Sequence, residues 1–159
     1  MVKKLVAAGH VEHAPYGAVR LTDRGRAEAL RMVRRHRLVE TWLVRQFGYS
    51  WDEVHDEAEV LEHVLSDRLL DAIDEQLGRP DRDPHGDPIP GSDGTVRQPD
   101  AVQLSTLRAG SRGRVVRISD RDPEVLRGLA DDGVGLDALV AAGEMPRDAA
   151  EAVWVVPAS

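Results

Sequence analysis

Four residues between Val54 and Leu65, namely His55, Glu59, Glu62 and His63, are of the types that hold a divalent cation. On a helix turning about 100° per residue they fall within an arc of roughly 100°, so two imidazoles and two carboxylates share one face. Val54, Ala58, Leu61 and Leu65 recur at i, i+4, i+7 and i+11 on the neighbouring face and read as a core stripe, which puts the polar face beside an interface. The same spacing also describes a solvated acidic helix with two incidental histidines, because Glu and His one turn apart are common on exposed helices. A second pair favours the ligand reading: His36 and Glu40 stand one turn apart in another segment of helical periodicity. Two neighbouring helices offering such pairs can build a closed nitrogen and oxygen site. The chain has no Cys, so every candidate ligand is imidazole or carboxylate, a set suited to Mn(II), Fe(II) or Zn(II).

These residues need helices to carry them. Thr22 is placed to cap the first, with Asp23 in its opening turn, an apolar stripe from Ala27 to Phe47 and Gly48 as its stop. Ser50 or Asp52 starts the helix of the His/Glu cluster. Ser66 caps a third, short helix through Leu69, Leu70, Ile73 and Leu77, ended by Gly78 and Pro80. Three such helices cannot bury Trp42, Phe47 and Trp51 within one copy, so a homodimer through the second and third is expected. Ahead of them, Val2, Leu5 and Val6 read as a helix end closed by Gly9. Val11 to His13 and Val19 to Leu21 read as a hairpin whose turn holds Pro15 and Gly17. A helix tail followed by a basic hairpin is the back half of a winged helix-turn-helix, with Lys3, Lys4 and Arg20 as candidate phosphate contacts.

Residues 79–101, rich in Pro, Gly and Asp, read as a linker, and His85 within it as a loop residue. Beyond it, Val102 to Leu104, Gly113 to Ile118 and Ala152 to Val156 read as short strands and Leu126 to Asp132 as helix. The Ala-rich stretch from Gly135 to Met145 reads as helical. The fold class is therefore α+β, divided as 1–21, 22–78, 79–101 and 102–159.

Charge is unevenly spread along the chain. Residues 1–40 hold nine Lys/Arg against four acids, whereas residues 50–100 hold fifteen acids against four Arg. A basic end beside an acidic middle fits a phosphate-facing lobe joined to a cation-binding lobe; the alternative is a chance asymmetry of solvated faces. No apolar run approaches the roughly 20 residues of a spanning helix, and no signal-peptide core is present, so a cytoplasmic place is expected.

The run His36, Val39-Glu40, then His55-Asp56-Glu57-Ala58, Glu62-His63, Ser66-Asp67 and Gly86-Asp87-Pro88-Ile89-Pro90-Gly91 resembles the diphtheria-toxin-repressor family of metal-dependent transcriptional repressors. The resemblance implies a primary metal site on Glu59, Glu62 and His63 and a second on His36, Glu40 and His55. It also implies a homodimer and operator DNA as partners. Iron-type members carry Cys where this chain has Glu59, so the resemblance to manganese regulators implies Mn(II), with Fe(II) the alternative. "LSTLRAGSRGRVVRI" resembles the small src-homology-3-like β-barrel appended to many members. In iron-type members such a barrel lends side chains to the second site, which makes Asp120 the candidate here and Asp122 the runner-up, with a solvated acidic loop as the alternative. In the family, base reading falls to helices ahead of the point where this chain opens. The expectation is thus either a full repressor with a misplaced start or a truncated metal-binding dimerisation module that modulates a full-length repressor. A metalloenzyme is the rival class. Paired Glu-x-x-His motifs, HExxH and phosphate-cradling glycine loops are all missing from the sequence.

Overall fold

The structure is a computed structural model describing residues 2–14 and 17–158. The turn residues Pro15 and Tyr16 lie outside the described residues. Helix α1 (Val2–Ala7) ends in a Schellman closure. Gly9, at φ 73°, donates to Val6 O, and His10 donates to Leu5 O. Strands β1 (Val11–His13) and β2 (Val19–Leu21) pair antiparallel, Glu12 opposite Arg20.

Thr22 joins this hairpin to the helices. Its hydroxyl donates to Gly9 O at 2.7 Å and accepts from Gly25 N at 3.0 Å, capping α2 (Asp23–Phe47). Gly25 is required here, since a Cβ would stand 1.8 Å from His10 O. Gly48, left-handed at φ 71°, closes the other end on Val44 O. Helix α3 (Val54–Glu62) begins later than the Ser50 or Asp52 expected, because Ser50 spends its hydroxyl on the Glu53 side chain. Helix α4 (Asp67–Gln76) is capped by Ser66, as the sequence indicated. Leu38, Val39 and Leu43 of α2, Val54 and Ala58 of α3, and Leu70 and Ile73 of α4 bury one core.

The expected linker is packed from Arg82 to Gly91 and mostly exposed from Ser92 to Asp100. Ile89 belongs to the helical core, and Asp83 and His85 are among the few buried polar residues. Trp51, expected at a partner surface, instead packs with the C-terminal core and edge-on against His85.

The C-terminal unit has β3 (Val102–Gln103), a 3-10 turn (Leu104–Thr106), β4 (Arg112–Ile118), α5 (Pro123–Asp131), β5 (Leu139–Ala141), α6 (Arg147–Ala152) and β6 (Val153–Pro157). Its four strands lie in the order β3-β6-β4-β5, all antiparallel. The outer strands β3 and β5 do not meet, so this is an open sheet rather than the closed barrel expected. The stretch from Gly135 to Met145 supplies strand β5 rather than helix. A register shift between Val115 and Arg117 bulges β4, so Ile118 rather than Arg117 turns into the core. Among the described residues no helix is long and apolar enough to cross a membrane.

Candidate metal centre

Three arginines within one turn of α2 reach three different parts of the chain. Arg34 pairs with Asp74 of α4 at 2.7 Å. Arg35 donates to the carbonyls of Glu62 and Leu65 and pairs with Asp67, fixing the turn between α3 and α4. Arg37 meets Asp83, Asp87 and the Pro88 carbonyl. These three guanidiniums, which swelled the basic count of residues 1–40, are thus engaged inside the protein and do not face phosphate. Between them His36 points at α3.

There the ligand types converge. His36 Nε2 lies 2.9 Å from Glu40 Oε1 and 3.1 Å from His55 Nδ1, and His55 Nδ1 lies 3.3 Å from Glu40 Oε1. Donors at right angles about 2.1 Å from one ion stand roughly 3.0 Å apart, so this triangle matches one face of an octahedral coordination shell. Two imidazoles and a carboxylate are also the donor chemistry such an ion takes.

The electrostatics fit a cation as well. The other nitrogen of His36, Nδ1, lies 2.7 Å from Glu62 Oε2. Burial alone would lower the pKa of His36, but its hydrogen bonds and charge contacts with Glu40 and Glu62 outweigh this and raise it to about 9. Without metal, a protonated His36 therefore supplies the positive charge between two carboxylates. Glu40, with its side chain only 3% exposed, shows the reciprocal effect: burial pushes its pKa up, but the bond and charge of His36 overcome this and hold it below the ordinary value.

The triangle opens on a cavity of about 320 Å³ lined by six carboxylates, Glu40, Glu59, Glu62, Asp83, Asp87 and Asp120, and one guanidinium, Arg37. Asp120 thus reaches the helical site from the end of β4, whereas Asp122 is committed to capping α5 through the amides of Glu124 and Val125. Of the trio Glu59, Glu62 and His63, Glu62 and His63 are neighbours, His63 Nε2 lying 3.6 Å from Glu62 Oε1, and Glu59 lines the same cavity as Glu62, but the three do not converge as one ligand set among the described residues. Glu62 turns to His36, and Glu59 lies 3.6 Å from His55. His63 follows the last residue of α3 and is 68% exposed. Lys3, Lys4 and Arg20 are exposed on α1 and β2.

Sequence reasoning missed Asp83, His85 and Asp87. Glu40, Asp83 and His85 are all buried, and each offers a ligand atom within 4.8 Å of the others'. Yet Asp83 Oδ1 accepts from the amides of His85 and Asp87 at 2.9 Å, its other oxygen faces Arg37 at 3.4 Å, and His85 Nε2 donates to Trp51 O at 3.1 Å. This group is accordingly a network behind Glu40 rather than a second set of free ligands. Burial, with the charge of Asp87 beside it, raises the Asp83 pKa to about 6. The available signal was Asp83-Pro84-His85-Gly86-Asp87 itself, an Asp two residues ahead of a His and four ahead of a second Asp, which is the spacing of a side-chain-closed turn.

A model of the iron dependent repressor metal binding and dimerisation domain matches residues 22–91. A solved manganese-dependent transcriptional repressor in complex with manganese is 50% identical, with a TM-score of 0.88 over 99% of this chain and 82% of that one. This chain belongs to the diphtheria-toxin-repressor family. The iron-dependent repressor IdeR of Mycobacterium leprae is 35% identical over 86% of this chain, which spans 64% of that relative's length. The diphtheria toxin repressor of Corynebacterium glutamicum is 33% identical over 84% of this chain and 63% of its own length. The family is one of metal-dependent transcriptional repressors, not of enzymes, and its α+β architecture of helical domain plus small antiparallel sheet is that described above.

Proposed function

We propose that this chain is the metal-sensing part of a Mn(II)-responsive, operator-binding repressor that works as a homodimer in the cytoplasm, with Fe(II) as the alternative effector. The observation that carries the reading is the triangle of His36, Glu40 and His55 joining α2 to α3. A divalent cation there supplies positive charge to a carboxylate-rich cavity. His36, Glu40 and His55 would hold it, with Asp120 lining the same cavity and Glu59, Glu62 and His63 forming the primary site implied by family resemblance. Glu59, a carboxylate where iron-type members carry a thiol, favours Mn(II).

The residues of this chain act as follows. Glu40 and Glu62 favour the charged form of His36, and a cation taking the lone pair of Nε2 would displace a proton there. A cation on Nε2 would take the place of the Nε2 proton only, so Nδ1 keeps its proton and Glu62 its hydrogen bond, which holds the ring in its ligating orientation. Phe47, Val60, Val64 and Leu69 leave large apolar side chains in water, and we assign that surface on the end of α2, α3 and α4 to the second copy. Lys3, Lys4 and Arg20 would meet phosphate.

Thermal denaturation with and without Mn(II) tests the reading. Mn(II) is expected to raise the Tm of the wild type, and Glu40→Gln is expected to abolish the rise. An equal rise in both proteins would place the cation elsewhere.

A further inference from the structure

Asp87 is gripped from two domains. Its Oδ1 lies 3.2 Å from Arg37 Nη2 on α2 and 3.0 Å from Arg117 Nε on β4. The second contact is charge to charge, since its angle falls short of a hydrogen bond. The Arg117 guanidinium in turn lies 4.3 Å from the Trp154 ring centroid on β6. The bulge in β4 makes this possible by pairing Arg117 with Trp154 and leaving Ile118 to the core. Alongside, Ile118 N donates to His85 O at 2.8 Å. At Gly86, φ 89°, a Cβ would stand 2.1 Å from Val116 O, so loop and strand touch backbone to backbone.

We propose that Arg117 and Asp87 are positioning residues of the metal pocket, docking the end of β4 on α2 so that Asp120, three residues on, lines the cavity. This rests on the metal-site reading above. Arg37, the partner on α2, is the neighbour of the ligand His36. Docking of the sheet and loading of the pocket are therefore one coupled equilibrium: a cation that binds Asp120 together with His36 favours the docked sheet, and an undocked sheet leaves the site one carboxylate short.

The sign of one substitution separates this from simple electrostatics. Arg117→Gln removes a positive charge near an acidic cavity, which through space would tighten cation binding. If Arg117 positions Asp120, binding weakens instead. Calorimetric titration of the full chain with Mn(II) is expected to show a loss of about tenfold for Arg117→Gln, the range seen when outer partners of a metal site are removed. No further loss is expected on adding Asp120→Ala, and Arg117→Lys should recover most of the affinity. In metal-free protein the amide of Ile118 should exchange faster in Arg117→Gln. Trp154→Leu, which leaves the ion pair in place, should shift both readouts the same way and serves if Arg117→Gln does not fold. Unchanged or tighter binding with unchanged Ile118 exchange would overturn the docking role, as would losses that add to that of Asp120→Ala. Wild-type binding unaffected by His36→Ala would overturn the pocket reading and this inference with it.

Discussion

His36 carries most of the chemistry at the residue scale. Its pKa, raised to about 9 by the two carboxylates, makes the metal-free protein and the metal complex respond oppositely to pH. A group whose folded-state pKa is raised contributes stability that is complete below the unfolded value of 6.5 and fades as the pH climbs through about 9. Metal-free protein should therefore lose Tm across that window, and His36→Gln should flatten the loss; a wild-type profile already flat would contradict the imidazolium assignment. Mn(II) affinity should rise over the same window, because the proton on His36 competes with the ion. Glu62→Gln replaces a carboxylate lining the cation's cavity with a neutral amide, and it is expected to lower the metal-induced rise in Tm. The pairs at one-turn spacing made His36, Glu40 and His55 legible in the sequence. Asp83, His85 and Asp87 were not legible, since their contacts with Glu40 and Arg37 span more than forty positions and depend on how one turn packs.

Among elements, the caps were the readable features: Thr22 and Ser66 hold the helix starts that their types indicate. Ser66→Ala should cost about 1 kcal/mol, read by urea denaturation, since the hydroxyl satisfies one free amide of α4. Ile73, 2% exposed in the helical core, should cost about 2–5 kcal/mol as Ile73→Ala. Strand β5 was missed because three residues, Leu139–Ala141, carry too little alternation to be read against an Ala-rich background; pairing with β4 makes it a strand. The same limit hid the open sheet, since which strands become edges is decided by partners far away in sequence. The segment from Asp81 to Gly91 looked like a linker because Pro and Gly dominate it, yet those residues build the turn that carries Asp83, His85 and Asp87. Its composition reported the bend and not the burial.

For the molecule as a whole, the acidic cavity lies where α2, α3, the Asp83–Pro88 turn and the end of β4 meet. A cation there would lie within reach of side chains from all four. The exposed apolar side chains of α3, α4 and the turn between them are the surface through which a second copy would read that state. Val64, 74% exposed, is its most solvent-facing member, and Val64→Glu should shift the sedimentation coefficient of the Mn(II)-loaded protein to that of a single chain. A wild type that sediments as a single chain with Mn(II) would remove the homodimer from the account. On the proposed function, Mn(II) would sit on the imidazoles of His36 and His55 with Glu40. Pulsed electron paramagnetic resonance of bound Mn(II) tests it most directly, because coupling to ligand nitrogen is visible in the echo modulation. The expected result is nitrogen modulation in the wild type that diminishes in His55→Ala and again in His36→Ala. Bound Mn(II) with oxygen-only surroundings, the same in all three proteins, would contradict the assignment.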